Sequence, residues 1–292
     1  MNFNHLSVFH AVAEERSISR AADRLMVSQP AVSKQLSELE RSLKTKLVDR
    51  LPRGVRLTAS GELLIGYARR IFAQAEEAER AMGELAGGRR GRLAVAATPT
   101  IGTYWLPSLL VKYRRTHPGV EMRMEVHPTT TITRLLLDGA VDVGLAESAA
   151  EGEGINSSVF MKDRMTAIAP PKHPLAKRAS ISAEELCREP FVVRELGSGS
   201  KSLVERALLE RGLTVEPVMT LGSTEAIKRA VMEGVGVAIV SGLAIRLEVA
   251  AGKLAELRVK GLSVERPCYL LTATGRSPSV AVNGFVRMVG GG

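Results

Sequence analysis

The 292 residues exceed a typical single domain, and 45% hydrophobic with 24% charged residues excludes a disordered chain. The formal charge of +9 favours polyanionic partners, and it is densest near the start, where residues 1–92 hold 16 Lys and Arg against 11 Asp and Glu. Cys187 and Cys268 lack Cys-x-x-Cys spacing, and neither a secretory leader nor a long apolar run is present, so no zinc site, disulfide framework or membrane partner is expected and the cytoplasm is the expected compartment.

Over residues 3–15, Leu6, Phe9 and Ala13, with Val8 and Val12, recur at helical spacing and predict a first helix. Ser17 supplies an N-cap for a short second helix through Ser19, Ala21, Ala22 and Leu25, closed by Met26 and Val27. Ser28 is suited to cap a third helix, with Gln29 or Pro30 in a first turn where the missing proline N–H has no intrahelical partner anyway. Val32, Leu36 and Leu39 form its inward stripe. Ser33, Lys34, Gln35 and Ser37 are left outward without acidic residues among them, as a helix entering a DNA major groove requires.

Residues 49–58 alternate polar and apolar around Pro52 and Gly54 and predict a hairpin, a basic wing whose Arg50, Arg53 and Arg56 would meet phosphates. From residue 60 to 85, Leu64, Ala68, Ile71, Ala75, Ala78, Met82 and Leu85 alternate by four and three residues, a heptad seam that predicts a partner helix and a dimer. The run Gly87-Gly88-Arg89-Arg90-Gly91 then predicts a hinge.

Beyond it the texture becomes βαβ. Strands are predicted at 92–97, 121–127 and 141–147 with helices at 106–116 and 131–138. The pattern repeats with strands at 191–193, 217–221 and 237–241 and helices at 201–211 and 224–233. Two Rossmann-like subdomains with a ligand cleft outside the strand C-termini are implied. Thr98-Pro99-Thr100 lies between a predicted strand and a predicted helix, where hydroxyls and free N–H groups suit an anion. Across the expected cleft, residues 194–200 add the guanidinium of Arg194, the hydroxyls of Ser198 and Ser200, and two glycines; Ser223 and Thr224 repeat the device. Gly197-x-Gly199 is too short for a dinucleotide fingerprint. The five histidines, His5, His10, His117, His127 and His173, have no metal-ligand spacing, and beyond Glu147 or Arg194-Glu195 no acid/base constellation suggests an enzyme. No cofactor is expected.

The run from Phe9 to Thr58, with Ser19-x-Ala21-Ala22, Leu25, Ser28-Gln29-Pro30-Ala31-Val32-Ser33, Gln35, Leu39-Glu40, Leu47, Arg50, Leu57-Thr58 and Gly61, closely resembles the LysR-type transcriptional regulators. The resemblance implies an all-α winged helix-turn-helix over residues 1–58, a linker and dimerisation helix over 59–88, and a periplasmic-binding-protein-like α/β effector domain over 89–292. In that domain subdomain I takes about 92–161 and 267–292, and subdomain II about 162–266. It implies a homodimer or homotetramer on double-stranded promoter DNA, with RNA polymerase a candidate further partner and a small, anionic effector. Carried over for DNA are Ser28, Gln29, Pro30, Ser33, Lys34, Gln35, Arg50, Arg53 and Arg56; for the effector, Thr98, Thr100, Ile101, Thr130, Ser198 and Ser200 with Arg194 as charge partner. A constitutive repressor with a vestigial sensor and an α/β enzyme fused to a DNA-binding module stand as alternatives.

Overall fold

The computed structural model describes residues 1–52, 54–85 and 91–291 and divides into two compact units, residues 1–91 with 134–141 and residues 92–133 with 142–292. Arg53, the side chain of Leu85 and the hinge residues 87–90 lie outside what is described. Among the described residues no helix is long and apolar enough to cross a membrane, and no cluster of His, Cys, Asp and Glu stands ready for a metal.

The first unit opens with α1 (Phe3–Glu15), α2 (Ile18–Leu25) and α3 (Gln29–Leu43). Asn2, Ser17 and Ser28 each cap the next helix with a side-chain oxygen, and α1, α2 and α3 end on Arg16, Met26 and Lys44 in the left-handed region. Leu6, Phe9, Val12, Ala21, Val32, Leu36 and Leu39 converge in one core. The hairpin of β1 (Val48–Leu51) and β2 (Gly54–Leu57) follows, antiparallel with Val48 opposite Leu57. It is fastened to the end of α1 by Val55 N–H donating to Arg16 O at 2.9 Å. Gly54, at φ +108°, lies so near that a Cβ would meet Arg16 O at 2.6 Å, and one on Gly61 would meet Leu47 O at 2.1 Å. Both positions therefore require glycine.

α4 (Ala59–Leu85) carries the predicted seam, and its environment changes along the helix. Ala68 is wholly buried, and Leu64 and Ile71 pack with it against the core of α1–α3, so these three stabilise their own chain. Arg69 strengthens that docking by donating twice to Glu14 Oε1, at 2.9 and 2.6 Å. Ala75, Ala78 and Met82 are exposed, as are Leu63 and Tyr67 nearer the start.

The second unit is α/β. β3 (Arg92–Ala97), α5 (Pro99–Tyr104), α6 (Leu106–Thr116), β4 (Glu121–Val126), α7 (Thr129–Asp138, of which 134–138 group with the first unit) and β5 (Val143–Ala146) lead into the long β6 (Ile155–Ala169). α8 (Ala183–Cys187), β7 (Phe191–Arg194), α9 (Gly199–Leu209), β8 (Pro217–Leu221), α10 (Thr224–Met232), β9 (Ala238–Ser241), α11 (Arg246–Ala250), β10 (Ala255–Leu257), β11 (Val264–Ala273) and α12 (Val280–Gly290) complete it. β3 is parallel to β4 and β5, and β11 runs antiparallel to β5. The chain passes between subdomains along β6 and β11, which pair antiparallel from Val264–Met165 to Ala273–Ile155 with a register shift at Cys268/Tyr269. The far half of β6 pairs with β9 and β10, while β7 and β8 form a separate parallel pair. Leu93, Val95, Ile101, Val143, Leu145, Tyr113 and Phe285 fill subdomain I; Ile168, Phe191, Val192, Ile227, Val231 and Val237 fill subdomain II.

Candidate nucleic-acid interface and ligand cleft

On α3 the inward stripe buries Val32, Leu36 and Leu39, which leaves Gln29, Pro30 and Lys34 exposed and Ser33 and Gln35 half-buried. The Ser28 hydroxyl is occupied in capping, accepting from Ala31 N–H at 3.4 Å. Ser33 has its carbonyl bonded by Ser37 Oγ at 2.9 Å, while Ser19 Oγ donates to Gln29 Oε1 at 3.3 Å. That contact occupies the Gln29 amide oxygen and leaves the amide N–H groups as its remaining donors. Arg50 is exposed on β1 without an ion-pair partner among the described residues, whereas Arg56 on β2 is paired with Asp49 at 3.1 Å. An exposed pair of this kind contributes little and is readily exchanged for a phosphate.

Glu40, on the same helix, is a buried fastener. Its carboxylate accepts from Leu47 N–H at 2.9 Å, Val48 N–H at 3.4 Å and Lys46 Nζ at 2.9 Å. Burial alone would raise its pKa, but these donors outweigh burial and hold it below the ordinary carboxylate value. The reading helix and the wing are thereby locked in one geometry. An inward position four residues after Leu36 was the available signal.

In the second unit, Thr98 and Thr100 flank the start of α5, and Ser198 and Ser200 the start of α9. Arg266, which no local motif singled out, brings two of these together. It is 7% exposed on β11, directly opposite Asp163 on β6, to which its Nε and Nη2 donate at 2.9 and 2.8 Å. Nη1 donates to Ser200 Oγ at 3.1 Å and Nη2 to Thr100 Oγ1 at 3.3 Å. Ser241 Oγ donates to the other Asp163 oxygen at 2.9 Å, and Glu147 lies 3.6 Å from Arg266 Nη2. One guanidinium on the crossing strands therefore ties a helix start of subdomain I to one of subdomain II. A buried charge of this kind is tolerated only when paired and hydrogen-bonded, as it is here. On the same strand, burial pushes the Cys268 thiol up to about 12, so it stays protonated and unreactive at neutral pH.

A second bridge crosses the cleft where Tyr104 OH donates to Glu225 Oε1 at 2.7 Å. The buried Lys228 Nζ sits 2.7 Å from both Glu225 and Glu248, donates to Ala244 O at 2.8 Å and stands 4.9 Å from the Tyr104 ring centre. Burial and the Glu225 carboxylate push the Tyr104 phenol up. For Glu225, burial acts upward, but Lys228 and Tyr104 hold it low.

The remaining expectations separate. Arg194 is engaged by its neighbour, Nε and Nη2 donating to the two Glu195 oxygens at 2.7 and 2.8 Å, with Nη1 donating to Thr224 Oγ1 at 3.3 Å. Ser223 is a cap, accepting from Ala226 N–H at 3.1 Å. The Ile101 side chain is wholly buried in the core of subdomain I. Thr130 is exposed at the start of α7, beside Thr129, whose hydroxyl meets Ser148 Oγ at 3.0 Å. The sequence missed Arg266, Asp163, Tyr104 and Glu225 because only the folded topology brings them together.

Residues 3–62 match the family described as "Bacterial regulatory helix-turn-helix protein, lysR family", and residues 86–291 match "LysR substrate binding domain". The RuBisCO operon transcriptional regulator of Allochromatium vinosum is 35% identical over 289 residues, covering 99% of this chain and 95% of that one. A full-length OxyR variant from Pseudomonas aeruginosa superposes with a TM-score of 0.78 at 23% identity, covering 99% of this chain and 98% of that one, and so shares the fold. The CcmR regulatory domain of Synechocystis, solved in complex with 2-PG, covers 69% of this chain and 97% of its own at 28% identity and TM-score 0.62. With both halves matched and a relative aligned nearly end to end, the protein is no enzyme but a DNA-binding regulator, a member of the LysR-type transcriptional regulator family.

Proposed function

We propose that the chain reads promoter DNA with Gln29, Ser33, Lys34 and Gln35 on α3 and with wing arginines including Arg50, Arg53 and Arg56, under control of a small anionic metabolite. The metabolite binds between the two α/β subdomains near Thr98, Thr100, Ser198 and Ser200. The observation that carries the effector reading is Arg266, which bonds Thr100 and Ser200 on opposite sides of the cleft. A ligand that competes for either hydroxyl changes how the subdomains are held, and this supplies the differential binding that any ligand-driven shift requires.

The CcmR regulatory domain in complex with 2-PG supports a small polar ligand for this chain as well. The exposed Leu63, Tyr67, Ala75, Ala78 and Met82 on α4 support pairing of two copies, and the family resemblance extends this to a dimer of dimers on an imperfect palindrome. Cytoplasmic promoter DNA is then the site of action, and RNA polymerase the further partner that position implies. Thr100→Val tests the effector reading. In thermal-shift titrations against a metabolite panel, a ligand that raises the unfolding temperature of the native chain is expected to leave this variant unmoved. An equal rise in both would place the ligand elsewhere.

A further inference from the structure

Three buried side-chain oxygens have no hydrogen-bond partner among the described residues, Thr98 Oγ1, Glu147 Oε1 and Glu248 Oε2, and the first two lie at one end of the subdomain I sheet. Thr98 follows β3 and Glu147 follows β5, which are parallel neighbours pairing Ala97 with Leu145. Thr98 N–H donates to Leu145 O at 2.9 Å, so both side chains belong to the same C-terminal end of the sheet. Thr98 is 4% exposed, does not cap α5, and its Oγ1 has no hydrogen-bond partner among the described residues. Glu147 Oε1 is likewise buried without a hydrogen bond. The guanidinium facing it at 3.6 Å has already committed Nη2 to Asp163 and Thr100. Unsatisfied buried polar atoms cost free energy, the more so on a carboxylate, and persist where function uses them.

The charges nearby narrow what can satisfy them. Arg266 is bonded twice by Asp163 and Arg194 twice by Glu195, so both guanidiniums are balanced within the chain. A bare anion would bring further negative charge toward Glu147 and no proton to share. A hydroxyl is the group that can serve both kinds of partner, as donor to a carboxylate such as Glu147 Oε1 and as acceptor from an O–H such as that of Thr98. An ammonium cannot accept that second proton.

We infer that the effector carries a hydroxyl group beside its anionic group, and that Glu147 with Thr98 is the pair that selects for it. This rests on the reading of the cleft as the effector site. Two matched pairs of probes test it by calorimetry on the full-length chain: malate against succinate, and glycerol phosphate against propyl phosphate. In at least one pair the hydroxylated anion is expected to bind about tenfold or more tightly than its partner. In Glu147→Ala, and separately in Thr98→Val, the ratio is expected to fall below about threefold. Equal binding within both pairs by the native chain, or an unchanged ratio in both folded variants, overturns the hydroxyl inference and leaves the effector site standing. Saturation by none of the four at about 10 mM would overturn this inference together with the anionic effector reading beneath it.

Discussion

At the scale of single residues, the DNA-binding unit separates side chains that read from side chains that hold. If Gln29 reads bases as proposed, Gln29→Ala is expected to weaken binding to the preferred promoter sequence by about 1–3 kcal/mol while leaving random DNA almost unaffected. Arg50→Ala should weaken both alike and lower the salt slope by about one unit. Fluorescence anisotropy against salt distinguishes them, and equal losses on both DNAs for Gln29→Ala would remove it from the reading surface. Glu40→Gln belongs to the holding class. Its folded pKa lies below the ordinary 4.5, so the carboxylate stabilises the native unit fully above that pH and the benefit fades as pH falls through the lower folded value. The variant is expected to lose about 2 kcal/mol at pH 7, with the gap to the native chain closing in acid. A gap that stays constant down to pH 3 would contradict the linkage.

At the scale of elements, α5 is the piece whose position the ligand is expected to change. It carries Thr100 at its start and Tyr104 at its end, each bonded to the opposite subdomain through Arg266–Ser200 or Glu225. Tyr104→Phe removes a hydrogen bond to a carboxylate, worth about 1.5–3 kcal/mol, and is expected to open the cleft. Trp105, the chain's one tryptophan, follows directly and lies 5.0 Å from Phe160 between ring centres, so its emission reports on this movement. The variant should show a shifted emission before any ligand is added, and an unchanged spectrum would argue against the bridge.

The same elements show what the sequence revealed. The capping serines Ser17 and Ser28 and the inward stripe of α3 were legible because each is a local pattern with a local cause. β6 was not: its first half is exposed and its second half buried, so it reads as a polar run followed by an apolar one. β11 was obscured by Pro267, a residue that normally argues against a strand and here sits beside the register shift. Their pairing creates the Arg266–Asp163 centre across 103 residues of chain, a separation that no periodicity spans.

At the scale of the whole molecule, assembly and signalling meet. The predicted seam is not of one kind along its length. Leu64, Ala68 and Ile71 stabilise α4 against its own core, and the exposed Ala75, Ala78 and Met82 extend the stripe beyond it. Replacing Tyr67 and Met82 with Asp is therefore expected to yield folded monomers in sedimentation, whereas an unchanged assembly would place the dimer contact elsewhere.

The effector cleft is proposed to govern how the chain grips DNA. The direct measurement is a nuclease footprint on the promoter fragment, with and without the ligand found by titration, for the native chain and Thr100→Val. The native footprint is expected to change in extent or spacing with ligand, while the variant protects the same DNA and ignores the ligand. A native footprint that the ligand leaves unaltered, or a variant that responds like the native chain, would contradict it.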